Sequence, residues 1–222
     1  MTDVEKNLQD INYRIKMAAE KVHRDFDNVT LVAVTKEFDV PLIREAIKLK
    51  IENIGETKVQ ETEKKQKELG DLSSKVKWHM IGYIQSNKAK DVAKIFDFVH
   101  SIDRMKVAEK ISKSCVKLKK EMPIFVEVNS SGITHGVKPE KTVDFVNELR
   151  KLNGIQVRGL MTIAPYVTNP EEIRIYFRKL RELAEVCNLK NLSMGMSNDF
   201  EVAIQEGATI VRIGTAIFGP RE

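Results

Sequence analysis

Cysteine is scarce in this chain, and long apolar runs are missing. The 222 residues include only two cysteines, Cys115 and Cys187, which stand far apart. Neither has a neighbour at the spacing of a metal-binding motif, and two thiols are too few for a disulfide framework. We therefore expect both to be reduced and packed, and no metal site. No run of roughly eighteen apolar residues is present to span a bilayer, which predicts no membrane segment.

The N-terminus lacks the basic start and the apolar stretch of a secretory signal. Residues 1–6 read Met-Thr-Asp-Val-Glu-Lys, so we expect a cytoplasmic protein. Linkers, low-complexity tracts and sequence repeats are missing as well. A chain of 222 residues is short for two globular domains but long enough for one substantial core. Residues 1–222 are therefore predicted to form one domain.

Positive charge is in small excess, and aromatic residues are few. The net charge of +5 comes from 37 Lys and Arg against 32 Asp and Glu, and aromatics make up 6% of the chain. The charges alternate in sign, for example along residues 61–68, as on a solvated helix face. No aromatic residues are interleaved with a basic stripe, so we predict no nucleic-acid binding.

The hydrophobic pattern alternates between two periods along the chain. The apolar positions of the opening segment recur every three or four residues, which predicts a long amphipathic helix. Short β-rich apolar runs follow, separated by helical patterns. The predicted strands cover residues 29–34, 52–55, 77–82, 98–102, 124–129, 155–161, 191–194 and 209–213.

Eight such units predict the α/β class, as a single (β/α)8 TIM barrel with an additional N-terminal helix. An open doubly wound sheet is the alternative, but it has fewer strands and commonly a glycine-rich first turn. The first strand of this chain is instead followed by residues 35–38, Thr-Lys-Glu-Phe.

Lys36 follows a strand that is otherwise apolar, at the end of the barrel where active sites lie. One interpretation is that this lysine begins a loop and extends into solvent. The other is that burial lowers its pKa, so that a neutral amine can condense with an aldehyde. The position by itself leaves both open.

Two loops near the C-terminus have the composition of a phosphate site. Residues 192–199 end strand seven and open a helix, with Ser197 predicted as its N-cap. After strand eight, Gly214 permits close approach of the backbone and Thr215 offers a hydroxyl. Phosphate sites after strands seven and eight recur in this barrel type, so the two loops together favour phosphate binding over ordinary helix caps.

Two more polar residues lie within apolar strands. Arg212 is interpreted either as half of an ion pair or as a donor to a pyridine nitrogen. A guanidinium stays protonated, so a pyridine nitrogen beside it remains neutral and the ring is a poorer electron sink. His79 by itself is best interpreted as a core histidine with a satisfied nitrogen.

Seven segments in order resemble the YggS/PROSC family of pyridoxal 5'-phosphate (PLP) homeostasis proteins, which is related to the barrel domain of bacterial alanine racemases. The similarity extends over nearly the whole chain. Its segments are residues 33–36 (AVTK), 54–56 (IGE) with 59–61 (VQE), 78–82 (WHMIG) with 85–88 (QSNK), 100–103 (HSID), 159–161 (GLM), 192–197 (LSMGMS) and 211–219 (VRIGTAIFG).

The resemblance implies a role for each candidate. It implies that Lys36 holds PLP as a Schiff base and that Arg212 faces the pyridine nitrogen. The phosphate-binding residues that it implies are Ser197, Gly214 and Thr215. It also places His79 near the pocket.

The chain departs from the family pattern at two places. Thr57 stands where an asparagine is common, so an amide near the cofactor is missing. The loop at residues 130–136 is shorter than usual and lacks a lysine.

The same resemblance favours PLP storage, delivery or buffering over strong catalysis. Related racemases carry a further domain with a tyrosine acid/base, which is absent here unless Tyr83 or Tyr166 replaces it. The alternatives are a weak PLP-dependent racemase, a Schiff-base aldolase acting on a phosphorylated substrate, and a basic interaction module. The expected partners are PLP and PLP-dependent apo-enzymes, and the expected state is a monomer or a weak homodimer.

Overall fold

The computed structural model describes residues 2–132 and 135–220. Eight parallel strands form its centre: β1 Thr30–Val34, β2 Asn53–Glu56, β3 Lys77–Met80, β4 Phe98–Ile102, β5 Met122–Glu127, β6 Ile155–Met161, β7 Asn191–Ser193 and β8 Ile210–Ile213. The helices of the described ranges are α1 Asp3–Glu20, α2 Val40–Lys48, α3 Val59–Leu69, α4 Ala89–Ile95, α5 Met105–Lys117, α6 Thr142–Leu149, α7 Arg174–Val186, α8 Phe200–Gln205 and α9 Thr215–Phe218.

The strands pair in chain order and close into a barrel, because β8 pairs in parallel with β1. The register of this closing pair places Val32 opposite Arg212 and Ala33 opposite Ile213. The prediction of a (β/α)8 barrel is confirmed. The predicted strand positions differ from the observed ones only by one or two residues at some ends, for example at β3, which ends at Met80.

The predicted N-terminal helix is also confirmed, and it lies against the helices that follow the last strands. Its buried face includes Leu8 and Ile11, spaced as the periodicity requires. Two polar contacts fix the packing: the Asn7 amide donates to the carbonyl oxygen of Ile217 at 2.9 Å, and Arg14 pairs with Glu201 at 2.8 Å. Helix α1 thus supports the two C-terminal units from outside.

Side-chain alternation along β1 decides which residues face the barrel interior. Ala33 belongs to the large apolar cluster between strands and helices, whereas Val32 belongs to a small cluster inside the barrel. Val34 lines the cavity at the carboxyl end of the barrel. The period of two therefore directs Lys36 toward the same cavity. In β8 the alternation directs Arg212 inward as well.

Both cysteines are buried, and they lie on different helical units. Within residues 2–132 and 135–220, no helix combines the length and the apolar character needed to cross a bilayer.

Candidate functional site

A cavity of about 550 Å³ opens at the carboxyl ends of the strands. Its size is typical of small-molecule sites. The structure brings five of the six candidate residues together in its lining: Lys36, Ser197, Arg212, Gly214 and Thr215. They come from β1 and from the loops and strand of the last two units, which are neighbours only because the barrel closes.

Lys36 is half-buried at the start of the loop after β1. The residue before it, Thr35, is fully buried, and its amide donates to the carbonyl oxygen of Gly55 at 3.0 Å. The residue after it, Glu37, has φ of 65°, in the left-handed region. The lysine therefore stands between a fixed strand end and a sharp change of chain direction.

Ser197 connects the two C-terminal loops, and its prediction as the N-cap of the following helix is wrong. Helix α8 begins at Phe200 with Asp199 as N-cap, and the Asp199 carboxylate accepts from the Met196 amide at 2.5 Å. The Ser197 hydroxyl instead accepts from the amide of Ala216 at 3.3 Å and from the hydroxyl of Thr215 at 3.1 Å. Because Asp199 holds the turn, Ser197 is free to bridge toward α9.

Gly214 lies where the end of β8 approaches the end of β1. A Cβ atom on this residue would lie 3.1 Å from the carbonyl oxygen of Val34, which is closer than most Cβ contacts. The missing side chain lets the two strand ends meet, and it leaves the backbone after β8 facing the cavity. Thr215 follows at once, with an exposed hydroxyl.

Arg212 is almost completely buried, with 4% of its surface exposed. It donates to the hydroxyl oxygen of Ser193 at 2.8 Å and to the carbonyl oxygen of Thr162 at 2.9 Å. Burial lowers the pKa of Arg212 to about 10, while the negative charges of Asp199 and Glu127 oppose this change. The guanidinium is therefore protonated at neutral pH.

His79 does not line this cavity. It lines a second cavity, of about 570 Å³, together with Asn53 and Phe98 at the amino ends of the strands. Its ring stacks on that of Phe98, with centroids 4.5 Å apart. The resemblance located His79 near the pocket, but the structure places it at the opposite end of the barrel interior, where the pleat of β3 directs it.

A continuous hydrogen-bond chain nevertheless connects His79 to Arg212. Arg212 donates to Ser193, whose oxygen lies 2.8 Å from Nδ1 of His100. Nε2 of His100 lies 2.9 Å from Nδ1 of His79, and Nε2 of His79 lies 3.0 Å from Oδ1 of Asn53. Because Asn53 only accepts at Oδ1, each histidine carries its proton on Nε2 and the serine hydroxyl donates to His100.

The hydrogen-bond chain predicts a pH-dependent contribution of His79 to stability. Burial lowers the pKa of His79 from 6.5 to about 3. Below pH 6.5 the unfolded chain binds a proton here that the folded chain does not, so the folded state loses about 1.4 kcal/mol for each pH unit of acidification. His79→Gln lacks this loss. We therefore expect the difference in the free energy of unfolding, His79→Gln minus wild type, to increase by this amount for each pH unit as the pH falls from 6.5 toward 3.

Urea unfolding at several pH values measures this slope. His23→Gln is the control, because it is the same substitution at an exposed histidine outside the hydrogen-bond chain. Parallel pH profiles for wild type and His79→Gln would contradict a neutral, buried His79.

Sequence reasoning missed two carboxylates of the cavity lining, Glu127 and Asp199. Burial raises the pKa of Glu127 to about 7, and the nearby Asp103 adds to the increase, whereas Arg212 opposes it. Glu127 ends the apolar strand β5 in the same way that Lys36 follows β1. A charged residue at the carboxyl end of an apolar strand was therefore the available signal.

The departures from the family pattern also lie around the cavity. Thr57 lines it, and its backbone contacts Gly82 so closely that a Cβ on Gly82 would lie 2.6 Å from the carbonyl oxygen of Thr57. In the shortened loop, residues 133–134 lie outside the described residues. Tyr83 and Tyr166 both line the cavity, and Tyr166 is 81% exposed.

Known proteins share this barrel and this arrangement of the chain. The family described as "Alanine racemase, N-terminal domain" matches residues 7–222. An alanine racemase from Clostridium difficile 630 shares the fold, with a TM-score of 0.73 at 18% identity, over 98% of this chain and 56% of the racemase. The fold is thus that of the racemase barrel domain.

More similar relatives narrow the family. The pyridoxal phosphate homeostasis protein of Aquifex aeolicus is 41% identical, over 98% of this chain and 98% of its own length. That of Pseudomonas aeruginosa is 39% identical, over 100% of this chain and 97% of its own length. The solved structure of PipY from Synechococcus elongatus PCC7942, with PLP bound, is 34% identical. Its TM-score is 0.82, over 94% of this chain and all of that one. The chain belongs to the family of pyridoxal phosphate homeostasis proteins.

Proposed function

We propose that this protein binds PLP as a Schiff base on Lys36 and serves PLP homeostasis. The observation that carries the proposal is the set of donors in one cavity. The cavity of about 550 Å³ is lined by the Lys36 amine, the Arg212 guanidinium and the hydroxyls of Ser197 and Thr215. These groups match the aldehyde, the pyridine nitrogen and the phosphate of PLP, which is bound in the structure of the cyanobacterial relative.

In this proposal the two C-terminal loops, with Ser197, Gly214 and Thr215, would hold the phosphate. The hydroxyls of Ser197 and Thr215 are hydrogen-bonded to each other at 3.1 Å, so they are close enough together to bind the same anion. Gly214 adds the close approach of the backbone after β8. Hydroxyl and amide donors around an anion form charge-assisted hydrogen bonds, which are stronger than neutral ones.

The same geometry supports binding over strong catalysis. Bound PLP supplies an aldehyde for amines and a ring that accepts electrons. Arg212, with a pKa of about 10, stays protonated and would donate a hydrogen bond to the ring nitrogen without transferring a proton to it. Its guanidinium is also held by Ser193 and Thr162, which limits its movement. A neutral ring nitrogen makes PLP a weaker electron sink.

We further propose that the protein stores, buffers or delivers PLP in the cytoplasm, with PLP-dependent apo-enzymes as recipients. We also propose that residues 1–222 form one domain, active as a monomer or a weak homodimer. Size-exclusion chromatography with light scattering tests the oligomeric state, and transfer of PLP to an added apo-enzyme tests delivery.

The visible spectrum of the protein with PLP tests the central proposal. We expect a yellow protein that borohydride converts to a stably labelled, colourless one, with the label on Lys36 in peptide mass spectrometry. A protein that remains colourless with added PLP and is not labelled contradicts PLP binding. A Schiff-base aldolase, in contrast, would be labelled by borohydride with a phosphorylated carbonyl substrate and without PLP.

The phosphate loops predict a graded loss of affinity. Removing one hydroxyl in Ser197→Ala or Thr215→Val deletes a hydrogen bond to a charged group, worth about 1.5 to 3 kcal/mol. We expect the dissociation constant for PLP to rise about ten- to a hundredfold, as measured by spectral titration. Thr168→Val, at an exposed threonine outside the cavity lining, is the control. Unchanged affinity in both loop variants would contradict this phosphate position.

A further inference from the structure

A buried ion cluster lies behind Lys36, on the outer side of the barrel wall. It consists of Glu56 at the end of β2 and of Glu61 and Lys65 in α3. The Lys65 ammonium lies 2.8 Å from a carboxylate oxygen of Glu56 and 2.6 Å from one of Glu61. The side chain of Glu56 is completely buried and that of Lys65 is 7% exposed. We call these three residues the ion cluster.

The ion cluster holds the backbone on both sides of Lys36. Lys65 donates to the carbonyl oxygen of Thr35 at 2.6 Å, and the Thr35 hydroxyl donates to Glu56 at 2.6 Å. On the other side, the amide of Glu37 donates to Glu61 at 2.8 Å. Three charged side chains thus bind the residue before Lys36 and the residue after it.

The hydrogen bond from the Glu37 amide to Glu61 holds an unfavourable backbone conformation. Glu37 has φ of 65°, in the left-handed region, which is unfavourable for a residue with a side chain. Its hydrogen bond to Glu61 offsets part of that cost. The turn after Lys36 therefore depends on the ion cluster for its shape.

Stability alone is a poor explanation for the ion cluster. Removing charges from water is unfavourable, and their mutual attraction offsets this cost only in part, so a buried ion pair adds little net stability over packed apolar residues. One oxygen of Glu56, Oε2, is buried without a hydrogen-bond partner among the described residues. An arrangement with an unsatisfied oxygen does not maximise stability. The same arrangement nevertheless makes three hydrogen bonds to Thr35 and Glu37, the residues on either side of Lys36.

We propose that Glu56, Glu61 and Lys65 are positioning residues that hold the Lys36 amine at the reach of the PLP aldehyde. This inference rests on the proposed function, because it concerns the same lysine. None of the three residues of the ion cluster belongs to the described lining of the cavity, so in this proposal the cluster acts on the approach of the amine and not on the binding of the ring or phosphate. A displacement of about 1 Å in a reacting group can slow a reaction about a hundredfold.

The test compares Schiff-base formation with binding of an analogue that cannot form one. Pyridoxine 5'-phosphate has the ring and phosphate of PLP but no aldehyde, so its affinity reports the rest of the site. In Lys65→Met we expect Schiff-base formation with PLP, followed by stopped-flow absorbance, to be about ten- to a hundredfold slower. The dissociation constant for pyridoxine 5'-phosphate should stay within about twofold of wild type.

Lys64→Met is the matched control, since the side chain of the adjacent Lys64 is 80% exposed and pairs with Glu68 on the helix surface. A second variant guards against loss of folding in Lys65→Met. Glu61→Ala removes the acceptor of the Glu37 amide from a side chain that is 24% exposed, and Glu63→Ala, at an exposed neighbour, is its control. Glu61→Ala should slow Schiff-base formation in the same way as Lys65→Met, whereas Glu63→Ala should not.

Each outcome decides the inference. Slow Schiff-base formation with unchanged analogue binding supports positioning by the ion cluster. Wild-type rates in Lys65→Met and Glu61→Ala overturn it, and so does a parallel loss of analogue binding, because the effect is then on the whole site. Wild-type protein that binds neither compound refutes the proposed function itself.

Discussion

Lys36→Ala protein incubated with PLP is expected to be colourless and to carry no label after borohydride treatment. The substitution removes the amine at the carboxyl end of β1, and the described lining of the cavity contains no other lysine. The groups proposed to bind the phosphate and ring nitrogen remain, so PLP should still bind reversibly. The expected change is therefore complete loss of covalent attachment, measured by absorbance and by intact-protein mass spectrometry.

Lys94→Ala provides the control, since Lys94 is exposed on the last turn of α4 and lies outside the cavity lining. It should colour and label like wild type. Stoichiometric labelling of the Lys36→Ala variant at another lysine would contradict the assignment of the Schiff base to Lys36.

Gly159→Ala is expected to destabilise the barrel by about 3 kcal/mol or more. A Cβ atom on Gly159 would lie 2.0 Å from the carbonyl oxygen of Asn191 and 2.8 Å from a ring carbon of Phe125. The first contact is with the backbone of the neighbouring strand, so it can be relieved only by separating β6 from β7. Overpacking of this kind usually costs about 1 to 3 kcal/mol, and a backbone contact places this site at the upper end.

Thermal and urea unfolding measure this effect, and we expect a decrease in Tm of roughly 6 to 12 °C. Gly55→Ala is a matched control at another barrel glycine. Its added Cβ would meet only side-chain atoms, at 2.9 Å from Val32 and 3.1 Å from Ile81, which can move. We expect its cost to be clearly smaller. Equal costs would show that general crowding, and not the Asn191 carbonyl, determines the sensitivity.

The candidate site was predictable where strand periodicity carries the information. Lys36 and Arg212 each continue an alternation of inward and outward residues, and a barrel converts that alternation into a shared cavity. Gly214 and Thr215 follow β8 directly, so their position at the same end was also predictable.

The prediction was incomplete where contacts between distant parts of the chain determine the position or the partner of a side chain. Ser197 was assigned to the helix that follows it, but Asp199 takes that position and Ser197 bonds to Ala216 instead. The location of His79 depends on its depth along the barrel axis, which a family motif does not encode. Its connection to Arg212 needs His100 and Ser193 from two other strands.

The sequence by itself determined the order of eight strands and helices, the first helix, and the chemistry of the residues at the strand ends. These features depend on local periodicity and on residue type, which can be seen within short windows. Only the tertiary structure decided that Glu56 and Lys65 hold Thr35, and that a polar chain crosses the barrel interior. Those contacts join residues from separate elements, and hydrogen bonds between them form only when the barrel has closed.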